Sequence, residues 1–376
     1  IDFNRDGDWL DAGEQIFTNR SLGTTAGPQT LSFTIPRNTT ENVLTGTTYA
    51  RFRLSIDGGL APTGQAGDGE VEDYQVTIIA DSAQATATLL AGGGTFTLEV
   101  SDGQRRLSQG STTLFSDVTS ATGGLTITGN AGDDRLVIDY STGVPFANGA
   151  TVTFDGGGHA SGDSVKLVGD GVATAVYTPN STTNGTGRVI ITQGANVITL
   201  DFQNIEPIYV TGFASYTITL PNANDAITIA NGFDNTGVIP ALVISGTSGS
   251  VGFEQYHAWS NTTLIIDTTT SDGTDTITIT SGDNAHGNTN LTIKTGAGTA
   301  DAVSISGSIS VSGTMTFDNV DGFALGDGPT GNQIQIDGTE LSRITAATLV
   351  LTTTGSIRVD NITAANSNNV TSVTLT

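Results

Sequence analysis

Six oxygen-bearing side chains crowd the first fourteen residues: Asp2, Asn4, Asp6, Asp8, Asp11 and Glu14, with Gly7 among them. Donors on alternate residues converge on one centre when the chain turns sharply, and a glycine permits that turn. Hard oxygen ligands in this number suit Ca2+. The spacing departs from an EF-hand, because Gly13 stands at the twelfth loop position and Glu14 follows one residue later. A plain Asp- and Asn-rich turn, closed by side-chain hydrogen bonds, uses the same residue types. A second acidic run, Gly67 to Tyr74, holds Asp68, Glu70, Glu72 and Asp73 with no basic neighbour. Such carboxylates repel one another and face either water or a cation, so Asp68, Glu72 and Asp73 join the candidate metal ligands.

Other chemistry is thin. With no cysteine there is neither a thiolate site nor a disulfide. His159 and His286 lie in glycine-rich turns and read as loop residues rather than general bases. No strained nucleophile turn precedes a helix, and no carboxylate pair is grouped with arginine and stacking aromatics as a sugar-cleaving cleft requires. The expectation is a protein that is not an enzyme and has no catalytic residues. The densest aromatic segment, Phe253 to Trp259, reads as a packed element and, less readily, as a stacking platform for a surface glycan.

The charge narrows the partners. Thirteen Lys and Arg stand against 37 Asp and Glu, a formal net charge of −24, and the only lysines are Lys166 and Lys294. A chain so acidic repels phosphates and anionic lipid, which argues against nucleic-acid binding. Its apolar runs are only a few residues long, which argues against membrane insertion through a helix. Cations are the expected partners.

The elements that position these groups are strands. Thr makes up about one residue in six, the helix-building residues are scarce, and short alternating runs such as Tyr216 to Leu220 are bounded by Gly, Asn, Asp or Pro. From about Gly123 a unit recurs in which an Asp precedes two apolar residues at alternate positions. Copies begin at Asp134, Asp163, Asp225, Asp275 and Asp301, spaced by one or two steps of roughly 25 to 31 residues, and a degenerate copy at Asn196–Leu200 fills the first double gap. A strand pair that cannot bury its apolar face alone must stack on its neighbours. The expected fold is therefore all-β, with a parallel β-helix over 123–376, connecting strands over 81–122 and a separate unit over 1–80. Tandem β-sandwich domains are the alternative.

The first motif, Ile1 to Trp9, together with Gly69-Glu70-Val71-Glu72-Asp73-Tyr74, resembles the GEVED domain, a β-sandwich module of large secreted and surface-anchored bacterial proteins. The resemblance covers residues 1 to about 80. It implies an accessory, non-catalytic, calcium-binding module with Asp2, Asn4, Asp6, Asp8, Glu72 and Asp73 at matching positions. Such domains carry strands before the first motif, so an incomplete β-sandwich is expected here, open to head-to-tail self-association in which another copy completes it. Gly129 to Asp134 is similar to one turn of RTX-type calcium β-rolls, and Leu341 to Val359 is similar to repeats of filamentous-haemagglutinin-type adhesins. These readings converge on a calcium-stabilised stalk, sheath or filament subunit, extracellular or at a bacterial cell surface. A carbohydrate-binding or carbohydrate-cleaving β-helix is the alternative.

Overall fold

The computed structural model describes residues 1–23, 27, 30–31, 33, 43–44, 46–78, 85–121, 123–271, 273–296, 301–320, 322–324, 333–353 and 355–376. The chain is all-β. The one helix among these residues is the four-residue turn Gly338–Leu341. In the N-terminal region, β1 (Gly46–Leu54) pairs antiparallel with β2 (Glu70–Ile78), Gly46 opposite Ile78 and Leu54 opposite Glu70. Phe3, Val43 and Ile78 form a small core beside this pair. Gly69 opens β2 with φ of 91°, and a Cβ there would stand 1.7 Å from the Leu54 carbonyl oxygen, so only glycine fits. The boundary expected near Ala80 lies outside the described residues.

The second region runs through β3 (Ala85–Thr88), β4 (Gly94–Ser101), β5 (Gln104–Gln109), β6 (Thr112–Val118), β7 (Leu125–Thr128), β8 (Asp134–Asp139), β9 (Thr151–Asp155) and β10 (Ser164–Val168). It continues through β11 (Thr174–Pro179), β12 (Gly187–Gln193), β13 (Asn196–Gln203), β14 (Ile208–Thr211) and β15 (Ser215–Thr219). Next come β16 (Ala226–Phe233), β17 (Pro240–Ser248), β18 (Val251–Trp259), β19 (Thr263–Asp267) and β20 (Thr276–Ile279), with further strands as far as Val370–Leu375. These strands form two sheets, one of 14 strands and one of 13. The chain passes from sheet to sheet and pairs in parallel with the coil before, which makes a two-sheet parallel β-solenoid and decides against a row of sandwiches.

Alternation explains the stack, because every second side chain points between the sheets. Phe96, Leu136, Val165, Ile208 and Tyr256 form one such column in the larger sheet. Tyr216, Leu264, Leu291, Met315 and Leu349 form another in the smaller. Each of these residues is buried. The solenoid begins at Ala85, earlier than the sequence pattern suggests: β3 pairs in parallel with β7, and β4 with β8. β3 and β4 thus already belong to the stack. At this end β5 and β6 turn back antiparallel on β4. The Arg105 guanidinium is buried there, 5.5 Å from both the Phe115 and Phe146 rings, and bonds the Gly123 carbonyl and Asp117.

The two double gaps in the repeat are antiparallel meanders. In the smaller sheet the spatial order is β9, β13, β12, β11, β15; in the larger it is β10, β14, β18, β17, β16, β20. The chain leaps ahead to β11, returns through β12 and lays β13 on β9, then repeats the manoeuvre in the facing sheet with β16, β17 and β18. The segment Asn196–Leu200, read above as a degenerate repeat, belongs to β13, the last arm of the first meander, which lies parallel on β9.

Buried amides tie coils together at one corner. Asn261 accepts from the Phe213 N–H through Oδ1 at 3.1 Å, and Asn288 Oδ1 accepts from both the Asn261 N–H and Nδ2 at 3.0 Å. Asn288 Nδ2 in turn donates to the Ala258 carbonyl at 2.9 Å. Asn288→Ala should leave two buried donors unpaired and destabilise the solenoid by about 3 kcal/mol, seen as a lower midpoint in thermal or denaturant unfolding.

Candidate metal centre and the acidic rows

The opening loop is wound by side-chain to backbone bonds at two-residue intervals. Asn4 Oδ1 accepts from the Asp6 N–H at 3.0 Å, Asp6 Oδ1 from the Asp8 N–H at 3.0 Å, and Asp8 Oδ1 from the Leu10 N–H at 2.8 Å. Gly7, with φ of 97°, supplies the reversal. The winding brings carboxylate oxygens of Asp6, Asp8 and Asp11 within 4.8 Å of one another. Asn4 Nδ2 sits among them, donating to Asp11 at 2.6 Å and Asp6 at 3.2 Å.

Two further acids of the loop, Asp2 and Glu14, are buried. Asp2 Oδ2 accepts from the Gly7 N–H at 3.2 Å, while Asp2 Oδ1 is buried with no hydrogen-bond partner. Glu14 accepts from the Phe3 N–H at 2.8 Å, and burial raises its pKa above the ordinary glutamate value against the pull of these amides. Three converging carboxylates offer the oxygen donors that a hard cation such as Ca2+ takes.

The second acidic motif is engaged elsewhere. Asp73 takes both arms of the Arg51 guanidinium at 2.7 Å, and Arg51 lies 3.8 Å over the Trp9 ring. Glu72 accepts from the Tyr74 hydroxyl, and Asp68 Oδ1 accepts from the Ile56 N–H at 3.2 Å. Asp6, Asp8 and Asp11 are therefore brought together, Asp2, Asn4 and Glu14 lie in the same loop, and Asp68, Glu72 and Asp73 have partners of their own. Arg51, absent from the sequence reading, links the motifs: it joins Asp73 of the second to Trp9 of the first. Only a cross-strand partner, Asp73 opposite Arg51, marks it, and register is invisible until the strands pair.

In the solenoid the repeated aspartates are buried and work between coils. Asp163 Oδ1 accepts from the Asp134 backbone N–H at 2.7 Å, Asp275 Oδ1 from the Asp225 N–H at 2.7 Å, and Asp301 Oδ1 from the Asp275 N–H at 2.9 Å. Burial raises the carboxyls of Asp134 and Asp163 and takes Asp225 to about 7. In the turn similar to an RTX repeat, Asn130 bonds Asp134 and reaches the Leu90 carbonyl at 2.7 Å, joining it to the preceding coil.

The histidines have structural partners. His159 Nδ1 lies 3.3 Å from buried Asp163, and His286 contacts the Ser310 carbonyl at 2.9 Å. In the aromatic segment Phe253 and Tyr256 are buried in the main core, while Trp259 packs with Tyr209 and Ala241 in a separate cluster. Lys166 lies 5.3 Å over the Trp259 ring. With Trp259 only 4% and Tyr209 only 9% exposed, little ring surface is open to a sugar.

These observations define a chain of two kinds of β structure, an acidic loop module with an antiparallel pair and a two-sheet parallel solenoid. Residues 1–77 match the GEVED domain family. No curated protein and no solved structure matches the chain.

The buried Asp225 makes stability depend on pH. Its carboxyl is neutral in the fold up to about pH 7 but ionises near 4 when unfolded, so its contribution is complete at low pH and is lost as pH rises through 7. The folding constant should fall by about tenfold between pH 6 and 8 on this account, about 1.4 kcal/mol. Asp225→Asn should remove that part of the slope in urea unfolding; an unchanged slope would show that the side chain is ionised in the fold.

Proposed function

We propose that this chain is a non-catalytic structural and adhesive part of a bacterial cell surface or extracellular layer, its 1–80 module stabilised by Ca2+ and its solenoid providing length. The observation that carries this reading is the convergence of Asp6, Asp8 and Asp11 in the opening loop. These three would hold the ion, and Glu14 braces the loop through the Phe3 amide. The match to the GEVED domain supports a surface-protein setting, and the net charge of −24 supports cation dependence. Self-association belongs to the same reading. The β1–β2 pair exposes Phe52 at 56%, Leu54 at 55% and Tyr74 at 51%, an apolar strip that a strand from another copy would cover.

Calcium is tested by calorimetric unfolding with millimolar Ca2+ and then with excess chelator, beside fluorescence from Trp9. Ca2+ at 100 times its Kd should stabilise the module by about 2.7 kcal/mol and alter Trp9 emission, and Asp6→Asn with Asp8→Asn should abolish both effects. An unfolding midpoint and emission indifferent to the ion would identify the loop as an Asx-bonded turn and end the calcium proposal.

A further inference from the structure

Between the two sheets, at the level of the meanders, lies a polar group unlike the apolar columns above and below it. Glu254 on β18 is fully buried, and its Oε2 accepts from the hydroxyl of Tyr177, also buried, on β11. β11 belongs to the smaller sheet and β18 to the larger, so this bond spans the interior. Beside it the Tyr216 hydroxyl on β15 donates to that of Tyr256 on β18 at 3.2 Å, a second crossing, with the Tyr177 and Tyr256 rings 4.5 Å apart. Glu254 lies two residues before Tyr256 and four before Ala258, so alternation places all three on the inward face of β18. The β17–β18 register slips just before it, Ile244 facing Tyr256 but Gly246 facing Phe253, and this bulge buries Phe253 beside Glu254.

No cation accompanies the carboxyl. The groups that bear on it are Tyr177 from β11, Tyr216 from β15, Tyr256 from its own strand and the Glu206 carboxylate from the turn before β14. The antiparallel partners β12 and β17 contribute Val189, Ile191, Leu242 and Ile244, all buried. Glu254 Oε1 is buried without a hydrogen bond. An ionised carboxylate enclosed this way is costly without a counter-charge, while the neutral acid is tolerated.

We propose that Glu254 is a pH-responsive clasp: as a neutral acid it holds the two meanders together across the interior, and its ionisation loosens them. Burial raises its pKa to about 7, outweighing the Tyr177 hydroxyl and the nearby amides of Glu254 and Gly185, which favour the charge. The unfolded glutamate ionises near 4, so the clasp is complete below that value and is lost as pH rises through about 7.

Hydrogen exchange of the intact chain, read on peptides covering 174–179 and 251–259 and corrected for intrinsic rates, tests this directly. Glu254 should make wild-type protection fall about tenfold between pH 6 and 8 beyond the share due to Asp225, and Glu254→Gln should remove that part of the fall at both peptides. Tyr177→Phe, which removes the hydrogen bond that favours the charge, should keep the pH dependence but move its midpoint to higher pH. A wild-type slope retained in Glu254→Gln, or an unmoved midpoint in Tyr177→Phe, would overturn the proposal. The peptide covering 290–294, a strand outside the meanders, serves as the internal comparison that Glu254→Gln leaves unchanged.

Discussion

Two sheets that enclose a common interior must gain height together, since each strand added to one raises it by about 4.8 Å and leaves the other short. In an unbroken coil this takes care of itself, because every turn gives one strand to each sheet. An antiparallel insertion breaks the symmetry. The chain restores it by making the insertion twice, β11 to β13 on one side and β16 to β18 on the other, so that four strands lie between β9 and β19 and four between β10 and β20. Column packing above and below the meanders stays in register as a result.

Closing the ladders leaves polar groups at the corners, where coils begin and the backbone must turn. The chain meets this with short side chains that serve the neighbouring coil. Aspartates accept from the amide of the preceding aspartate, and the Asn261–Asn288 pair does the same at another corner. An amide completes this task neutrally. A carboxylate does so with a charge that burial disfavours, so Asp225 is held near neutrality while the asparagines are indifferent to pH. Two residue types of nearly one shape thus give the same architecture different sensitivities.

The sequence revealed the class of fold because alternation and the Asp-led repeat are local signals. It did not reveal the meanders, since an antiparallel strand such as Gly187–Gln193 carries the same two-residue period as a parallel one, and period says nothing about the pairing partner. The place of β3 and β4 in the stack escaped for a related reason: without the repeated aspartate, they look like ordinary strands. At the acidic loop every donor lies within fourteen residues, and local spacing was enough to gather Asp6, Asp8 and Asp11. The second motif depended on distant partners. Asp73 is fixed by Arg51, 22 residues away, and Glu254 by Tyr177, 77 residues away in the facing sheet.

The out-of-order strands change how the solenoid meets tension. A stack laid down coil by coil can be unzipped from either end, one edge strand at a time, each breaking a single ladder. Pulled from the C-terminal side, this chain yields β20 and β19 in that way, but the next strand in line is β18, flanked by β14 and β17 while β16 still stands outside it. Pulled from the N-terminal side, the strand after β10 is β11, held between β12 and β15. At both approaches the load falls on two ladders at once, and the strand must slide along them. The middle of the solenoid is therefore a mechanical stop, placed where traction on either end would otherwise run through the whole length.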